Sequence, residues 1–272
     1  MIIAVDTGGT KTLVGLFDSD GRLVKKKRFP TPEQLDEYIG ELVATIDNLT
    51  NKNDDIVDCI SIALPGTITN GSMAHAGNLG WKNIDMRSLL AYRFDCPVIV
   101  ENDANLAGLS EAKALPEVPR VCLYVTISTG IGTGIITDGE INPYFAATEG
   151  GQIFLEHDGV IKRWELFASG KAIYKTYGKL ASEITNERTW YHIAKNIAAG
   201  LLVLCPVLRP EVIVIGGGVG THFARFSEDL VGIMREYLSE KYMPNSIVQA
   251  SRPEEAVMYG CYYNALGSFT AK

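Results

Sequence analysis

The chain has 272 residues, of which 46% are hydrophobic, so it can bury a sizeable core as one large unit or two modest lobes. Its 25 lysines and arginines are outnumbered by 32 aspartates and glutamates, which gives a formal net charge of -7 at pH 7. We therefore expect no nucleic acid and no membrane surface as a partner, because phosphate backbones and anionic lipids repel an acidic protein.

The cysteines and the first residues indicate a cytoplasmic protein. Five cysteines, an odd number, lie far apart and mostly within apolar segments, as is typical of buried reduced thiols. The sequence begins MIIAVDTGG, without the basic leader or long apolar region of a secretory signal. The longest apolar stretch, residues 197–208, contains Pro206 and is too short to span a bilayer, so it predicts a buried helix.

The first elements predicted along the chain are three strands. Residues 2–5 and 12–17 flank the turn Asp6-Thr7-Gly8-Gly9-Thr10, and residues 23–29 follow an Asp-Gly turn. The third strand carries the basic run 25–28, which we interpret as a solvated sheet edge.

Alternating helices and strands then predict an α/β protein. The expected helices are residues 32–48, 85–94, 104–115, 165–181, 187–208, 223–241 and 253–266, and the expected buried strands are 59–64, 97–101 and 212–215.

A second glycine hairpin repeats the first one half a chain later. Residues 121–127 lead into STGIGTG, then into two isoleucines and a second Asp-Gly turn. Such a repeat predicts a duplicated lobe. We place the N-terminal lobe at residues 1–116 and the C-terminal lobe at 117–252, with a last helix, 253–272, that packs back on the first lobe.

Both hairpins have the composition of a phosphate-binding site, although an isolated Gly-Gly is as often an ordinary tight turn. Glycine lets backbone N–H groups approach polyphosphate, and threonine hydroxyls donate further hydrogen bonds. Asp6 adds a carboxylate, which suits Mg²⁺ held directly or through water. Neither hairpin fits a Walker or Rossmann loop. The candidate ATP-binding residues here are Gly8, Gly9, Thr10, Lys11, Thr129, Gly130 and Gly132.

A third glycine segment and an acidic segment each follow a predicted buried strand. Gly217 and Gly218 precede a helix, a suitable place for adenosine or the α-phosphate. Asn102 and Asp103 lie where open α/β sheets position ligand-binding groups. For Asp103 the structural alternative is an N-cap of the following helix.

Five motifs occur in a fixed order along the chain: DTGGTK, GNLGW, ENDANLAGLSEA, TGIGTGII and VIVIGGG. Together they resemble the ROK family of sugar kinases and sugar-responsive repressors over nearly the whole chain. The resemblance implies the actin-like ATPase (ribonuclease H-like) fold, with two α/β lobes closing around ATP and a sugar.

The resemblance also implies roles for individual residues. Asp103 matches the catalytic base that accepts a proton from the sugar hydroxyl, and Asn102 and Asn78 match asparagines of the sugar pocket. Glu149 and Gln152 match a sugar-binding Glu-x-Gly-His segment, with glutamine in place of the histidine. Glu165 matches the sugar-contacting glutamate of a Leu-Glu-x-x-Ala-Ser-Gly segment.

Many members of the family hold a structural zinc between these two segments. Residues 153–163 contain no cysteine, and His157 alone cannot form a zinc site. We therefore expect no zinc, and we expect packing, through Trp164 and Phe154, to support the sugar loop in its place.

The family resemblance leaves several alternatives. A repressor of this family carries a helix-turn-helix ahead of the first strand, whereas five residues precede Asp6 here. A catalytically silent sugar sensor could dispense with the base, and an actin-like filament protein needs no sugar-loop glutamates. We expect an ATP-dependent, Mg²⁺-dependent hexokinase, with glucose as the default sugar, N-acetylhexosamine or fructose as alternatives, ADP or polyphosphate as alternative donors, and a homodimer as the assembly.

Overall fold

The computed structural model describes residues 1–50, 56–69, 72–75, 79–252 and 255–270. The chain divides into two compact units: unit 1 is Met1–Ser110 with Glu254–Lys272, and unit 2 is Glu111–Pro253. The division falls before Glu111, whereas the sequence places it after residue 116. The reason is that the buried Glu111 carboxylate accepts hydrogen bonds from the backbone N–H groups of Ser251 and Arg252, which ties it to unit 2.

Unit 1 is built on a five-stranded sheet and a small three-stranded sheet. The strands are β1 (Ile2–Thr7), β2 (Lys11–Phe17), β3 (Leu23–Pro30), β4 (Cys59–Leu64), β5 (Thr67–Thr69), β6 (Ser72–His75), β7 (Lys82–Ile84) and β8 (Val98–Asn102). The large sheet has the order β3-β2-β1-β4-β8. Strands β1, β4 and β8 are parallel, so their carboxyl ends meet at one edge of the sheet.

The helices of unit 1 cover this sheet. They are α1 (Leu35–Leu49), α2 (Met86–Leu90), the first turns of α3 (Asp103–Ala114) and α9 (Ala256–Thr270). Helix α1 packs against β2 and β3, and α9 packs against β1 and β4. All six residues of β4 are buried, as expected for a central parallel strand that is covered on both faces.

Unit 2 repeats the same sheet. Its strands are β9 (Val121–Ile127), β10 (Ile131–Thr137), β11 (Glu140–Ile141), β12 (Phe154–His157), β13 (Val160–Arg163), β14 (Val212–Gly216) and β15 (Ser246–Gln249). The large sheet has the order β11-β10-β9-β14-β15, and β12 and β13 form a separate hairpin. Antiparallel and parallel pairs follow the same sequence as in unit 1, so the repeat predicted from the two glycine hairpins is present in the sheets.

The core of unit 2 is formed around one long helix. Its helices are α4 (Glu165–Ala168), α5 (Gly170–Tyr177), α6 (Glu187–Leu208), α7 (Gly217–Gly220) and α8 (Ser227–Tyr237). Within the described residues, α6 is the one helix long and apolar enough to cross a membrane. It belongs to the core, because eight of its residues are buried and it packs against α4 and α8.

Two helices predicted as continuous are interrupted. The segment predicted at 165–181 breaks at Ser169, which is extended and whose hydroxyl accepts a hydrogen bond from Ala172 N–H at the start of α5. The segment predicted at 223–241 is α-helical only in α8, which ends at the extended Leu238, and short 3₁₀ turns lie at Phe223–Arg225 and Glu240–Tyr242. In both cases a local capping conformation prevails over the helical periodicity.

Close packing between α9 and α3 depends on one glycine. A Cβ atom added at Gly260 would lie 2.0 Å from the carbonyl oxygen of Leu106, and backbone cannot move aside as a flexible side chain can. We predict that Gly260→Ala lowers the free energy of unfolding by about 2 kcal/mol or more. Thermal or urea unfolding measures the effect.

Gly232 in α8 provides the control, because nothing lies within 4 Å of the position of its added Cβ. We expect Gly232→Ala to stabilise the protein by roughly 0.5 to 1 kcal/mol through helix propensity. Equal effects of the two substitutions would contradict the packing described for α9.

Candidate active site

Two aspartates lie at the carboxyl edge of the unit 1 sheet. Asp6 is the second-last residue of β1, and Asp103 begins α3 directly after β8. The register aligns Asp6 with Ala63 of β4, and Ala63 with Glu101 of β8. The sheet therefore brings to one edge the two carboxylates that sequence motifs nearly a hundred residues apart had singled out.

The two aspartates affect one another electrostatically. The pKa of Asp6 is raised to about 7, first by burial and then by the negative charge of Asp103, while Lys11 opposes the shift. The pKa of Asp103 is also raised, mainly by burial, while the backbone N–H groups of Ala104 and of Asp103 itself limit the rise. A raised pKa brings a carboxylate closer to the range in which it works as a general base at neutral pH.

The Asp6 carboxylate suits a magnesium ion that keeps water and phosphate ligands. Within the described ranges no group of three or more histidine, cysteine, aspartate or glutamate side chains could enclose a metal. Mg²⁺ in phosphoryl-transfer sites is commonly bound by one or two carboxylates together with phosphates and water. A cation beside Asp6 would also offset the charge repulsion that raises its pKa.

Asn102 has a structural role in addition to the predicted one. Its side-chain oxygen accepts hydrogen bonds from Ala104 N–H (2.8 Å) and Asn105 N–H (3.2 Å), and its amide donates to the Gly66 carbonyl (2.9 Å). Asn102 thus provides the N-cap that the sequence considered for Asp103, although Asp103 Oδ1 shares Ala104 N–H at 2.8 Å. One of the two amide hydrogens of Asn102 forms the bond to Gly66.

The sequence assigned no role to two neighbours that fix this turn. Glu101 accepts hydrogen bonds from Asn102 N–H (2.8 Å) and from the buried Asn105 side chain (2.9 Å). Both bonds hold the start of α3 in place. Asn78, the other predicted sugar-binding asparagine, lies outside the described residues.

The first glycine hairpin is held together by its own backbone. Gly8 N–H donates to the Lys11 carbonyl (2.9 Å), so this predicted phosphate donor closes the turn. The Thr31 hydroxyl donates to the Gly8 carbonyl (2.8 Å), which anchors the turn to the end of β3. Gly9, Thr10 and Lys11 are exposed at the tip.

The second glycine hairpin contributes to a pocket of about 480 Å³ in unit 2. Two predicted nucleotide residues, Thr129 and Gly218, line it. Gly217 has a different role: its φ is +78° and an added Cβ would lie 2.5 Å from the Ile127 carbonyl oxygen, so it packs on β9. Gly130 and Gly132 do not line this pocket.

Most of the pocket lining was missed by sequence reasoning because it comes from segments without a glycine signature. The additional residues are Ser128, Gly170, Lys171, Tyr174, Leu180, Ala181, Ser182, Val219 and His222. Burial, and then the charge of Arg225, lower the pKa of His222. A partly apolar pocket of this size with a few polar groups is typical of a small-molecule site.

A single carbonyl group fixes one wall of this pocket. Ile184, which follows the wall residues 180–182, accepts hydrogen bonds from the Trp190 indole N–H (3.1 Å) and from the Arg225 guanidinium (2.8 Å). Trp190 in turn stacks on Phe226, with ring centroids 5.7 Å apart. The wall is therefore tied to the core of unit 2.

Two of the predicted sugar-binding residues of unit 2, Gln152 and Glu165, contact one another. Gln152 donates its amide hydrogen to Glu165 Oε1 at 2.9 Å. The other carboxylate oxygen, Oε2, lies 2.8 Å from the position of a Cβ added at Gly130. Glu165 therefore lies against the second glycine hairpin, and glycine at position 130 leaves room for its carboxylate.

The segment that carries Glu149 is fixed on β10. Glu149 precedes a 3₁₀ turn, Gly150–Gln152. Gly150 N–H donates to the buried Thr133 hydroxyl (2.9 Å), and a Cβ at Gly151 would lie 2.0 Å from the Ile131 carbonyl oxygen. Thr133, which the sequence left without a role, thus positions this segment on the hairpin.

A model of the ROK family matches residues 2–266. The chain belongs to the ROK family.

Three similar proteins illustrate the match. The fructokinase of Zymomonas mobilis is 28% identical over 291 residues, which cover 97% of this chain and 96% of that one. The glucokinase of Streptomyces coelicolor is 24% identical over 261 residues, 80% of this chain and 82% of that one. The structure of an inorganic polyphosphate/ATP-glucomannokinase from an Arthrobacter species superposes with a TM-score of 0.75 at 26% identity, covering 98% of each chain.

Membership of the ROK family confirms the predicted fold class. ROK kinases have the actin-like ATPase fold, and the described chain has the mixed α/β sheets of that fold. The resemblance inferred from the ordered motifs is confirmed with it.

The zinc support expected in many ROK proteins has a candidate replacement here. The buried Trp164 donates its indole N–H to the Asn196 carbonyl (3.0 Å), and the His157 ring lies 4.2 Å from that of Phe167. The Asn196 amide donates to the Phe167 carbonyl (3.0 Å). The expectation for Phe154 is wrong, since its side chain is 67% exposed. The absence of zinc remains a prediction.

The raised pKa of Asp6 predicts a dependence of stability on pH. An aspartate whose folded pKa lies above its unfolded value stabilises the protein at low pH, and this contribution is lost as the pH rises through about 7. Without nucleotide and metal, Asp6→Asn should therefore raise the free energy of unfolding at pH 8.5 by about 1 to 3 kcal/mol, with a smaller gain at pH 5.

Urea unfolding at the two pH values measures this difference. Asp36→Asn, at an exposed position in the first turn of α1, is the matched control and should give no gain at pH 8.5. An Asp6→Asn effect that is the same at both pH values would contradict the burial and charge environment described for Asp6.

Proposed function

We propose that this ROK protein is a sugar kinase that transfers the γ-phosphoryl group of ATP to a hexose hydroxyl, the 6-hydroxyl, with glucose as the first candidate. The observation that carries the proposal is Asp103, a carboxylate with a raised pKa that is fixed at the start of α3 beside Asp6. Family membership and the names of the similar proteins support it.

Asp103 acts as the general base in this proposal. A sugar hydroxyl is a weak nucleophile at neutral pH, and a carboxylate within hydrogen-bond reach accepts its proton as the new O–P bond forms. The bond between the γ-phosphorus and the bridging oxygen of ATP breaks, and ADP leaves with the electron pair. The bonds at the start of α3 hold Asp103 in one orientation, which favours an in-line reaction.

In this proposal the glycine hairpins bind the phosphates, and Asp6 holds the metal ion that offsets their charge. The transition state of phosphoryl transfer is loose, so positioning and charge stabilisation account for most of the catalysis. The exposed tip residues Gly9, Thr10 and Lys11 supply N–H, hydroxyl and ammonium donors. Asp6 would hold Mg²⁺, directly or through water, and the bound ion would neutralise charge on the phosphate oxygens.

The pocket of unit 2 that contains Thr129 and Gly218 is the proposed nucleoside site. Its apolar lining suits an adenine ring, and Ser128 and Thr129 provide polar groups for the phosphate side. The name of the Arthrobacter glucomannokinase includes polyphosphate as well as ATP. Polyphosphate therefore remains the alternative donor, together with ADP.

Glu149, Gln152 and Glu165 form the proposed sugar site of unit 2, with Asn102 and Asn78 as its counterparts in unit 1. Gln152 donates an amide hydrogen to Glu165, and its carbonyl oxygen would accept a hydrogen bond from a sugar hydroxyl. Fructose and N-acetylhexosamines remain alternatives to glucose, since a fructokinase is among the similar proteins.

The proposal also covers the location, assembly and partners of the protein. We propose a cytoplasmic homodimer in carbohydrate metabolism that binds neither nucleic acid nor membrane and needs no zinc. A sugar sensor without catalysis is the second candidate, because the ROK family includes sugar-responsive repressors. Turnover distinguishes the two, since a sensor binds sugar without consuming ATP.

Substitution of Asp103 tests the proposed base. Asp103→Asn should lower kcat by roughly 10²-fold or more while the fold and the sugar affinity are kept, because a positioned base is lost and its shape is kept. A coupled assay of ADP release, with Asp36→Asn as the control, measures the change. Near-normal turnover in a folded Asp103→Asn variant would rule out the base assignment.

The second prediction separates the sugar and nucleotide sites of unit 2. Glu149→Gln and Glu165→Gln should each raise the sugar KM by about one to two decades, the cost of losing a charged hydrogen-bond acceptor, and leave the ATP KM nearly unchanged. Steady-state kinetics with each substrate varied in turn provide the test.

Glu228→Gln is the matched control for Glu165→Gln, because both glutamates lie in the first turn of a helix. A glutamate there interacts favourably with the helix macrodipole, which stabilises the helix by about 0.3 to 1 kcal/mol without any role in binding. If the Glu165→Gln variant behaves like the Glu228→Gln variant, or only the ATP KM changes, the sugar-site assignment is wrong.

A further inference from the structure

The end of β1 is held from one face of the sheet by a hydrogen bond to helix α1. Thr7, the last residue of β1, is 1% exposed, and its hydroxyl lies 2.7 Å from the hydroxyl of Tyr38, which is fully buried. Each of these hydroxyls can donate or accept, so the pair satisfies two polar groups that lie away from water. Loss of either hydroxyl would leave the other one buried without this partner.

The ring of Tyr38 is fixed by aromatic neighbours. Its centroid lies 4.7 Å from that of Trp81 and 6.2 Å from that of Phe29. Trp81 is itself held, because its indole N–H donates to the Glu33 carbonyl (2.8 Å). The Tyr38 hydroxyl is therefore carried by a ring that is packed in the core of unit 1.

The bond to Thr7 fixes the backbone from which the Asp6 carboxylate projects. Side chains alternate along a strand, so Thr7 points to the face that α1 covers and Asp6 points to the opposite face. Burial raises the pKa of Tyr38, the bond to Thr7 opposes the rise, and the nearby charge of Asp6 adds to it. A displacement of Thr7 would therefore displace the adjacent Asp6 as well.

The glycine turn that follows Thr7 has few side chains to hold it. Gly8 and Gly9 have none, and the tip of the turn is exposed. On the far side of the turn, the Thr12 hydroxyl lies 2.9 Å from that of Thr31, which donates to the Gly8 carbonyl (2.8 Å). Thr7 is thus the last side chain that anchors β1 before the two glycines.

We propose that Tyr38 is a positioning residue of the metal-binding end of the active site: its hydroxyl holds Thr7 and thereby keeps Asp6 and the glycine turn in the arrangement that Mg²⁺ and ATP require. This inference rests on the proposed role of Asp6 in holding Mg²⁺. Tyr38 acts through Thr7 and needs no contact with the ion or the nucleotide. Hydrogen bonds that orient a metal ligand from behind contribute to metal affinity in this way.

The experiment measures ATP binding by isothermal titration calorimetry, once with Mg²⁺ and once with EDTA in its place. Tyr38→Phe removes the hydroxyl and keeps the ring that packs on Trp81. With Mg²⁺ this variant should bind ATP about 3- to 10-fold more weakly than the wild type, the effect of one buried hydrogen bond on an equilibrium constant. With EDTA the two affinities should be equal, whereas a general loss of structure would weaken binding in both conditions.

Substitutions of Thr7 test the same bond from the other side. Thr7→Val should weaken Mg²⁺-dependent binding as Tyr38→Phe does, and Thr7→Ser, which keeps the hydroxyl, should bind as the wild type does. The double variant Tyr38→Phe/Thr7→Val should bind no more weakly than either single variant, because all three lose the same bond.

Tyr262→Phe is the matched control. It removes a tyrosine hydroxyl near the opposite end of β1, since the Tyr262 ring stacks on Phe17 and Phe17 pairs with Ile2. We expect it to leave ATP binding unchanged both with Mg²⁺ and with EDTA.

Asp6→Asn separates this inference from the proposed function. If Asp6→Asn abolishes the gain in ATP affinity from Mg²⁺ while Tyr38→Phe leaves it intact, the inference is wrong and the role of Asp6 stands. If Asp6→Asn keeps the full gain, the proposed metal site fails and the inference fails with it. Weaker binding by Tyr38→Phe in both conditions, or a Thr7→Ser variant as weak as Thr7→Val, would also overturn the inference.

Discussion

Asp6 and Asp103 lie at the edge of one sheet, close enough for the charge of Asp103 to raise the pKa of Asp6. The proximity of the two negative charges costs stability, and several contacts in unit 1 hold the two residues in place. The parallel register of β1, β4 and β8 brings the two residues together, Asn102 and Glu101 fix the start of α3, and Thr31 closes the hairpin beside Asp6. A site that concentrates negative charge in this way is suited to a cation and to the proton of a substrate hydroxyl.

Unit 2 has a sheet of the same topology as that of unit 1, but this sheet positions different residues. Its glycine hairpin contributes to the pocket through Thr129 and accommodates the Glu165 carboxylate beside Gly130. The proposed sugar-binding segment is fixed on β10 by the hydrogen bond from Gly150 N–H to the Thr133 hydroxyl. The proposed sugar and nucleotide residues of unit 2 thus lie on or against the same hairpin. A movement of this hairpin on binding one ligand would therefore also move residues that bind the other.

Much of this arrangement could be predicted from the sequence. The two Gly/Thr hairpins, their flanking strands and the strand before Glu101 have strong local signals, and the ordered motifs identify the ROK family. The predicted helix 187–208 has the observed bounds of α6, whose apolar residues pack in the core of unit 2.

The remaining features depend on contacts between distant segments. Nothing near Ile184 in the sequence indicates that the Trp190 and Arg225 side chains would share its carbonyl and so hold one wall of the proposed nucleoside pocket. Phe154 was expected to support the sugar loop by packing, but the alternation of the hairpin directs its side chain outward. The role of Gly217 is likewise set by Ile127 on another strand, which no local pattern reveals.

We propose that Asp6, Asp103 and the two glycine hairpins couple ATP to the phosphorylation of a sugar. The most direct test incubates the purified chain with ATP, Mg²⁺ and each of a series of hexoses, and follows ADP and sugar phosphate together by ³¹P NMR. We expect one sugar phosphate for each ADP with at least one hexose, glucose first, and little ADP without sugar. ATP hydrolysis that leaves every sugar unmodified, or no ADP with any hexose, would contradict the account.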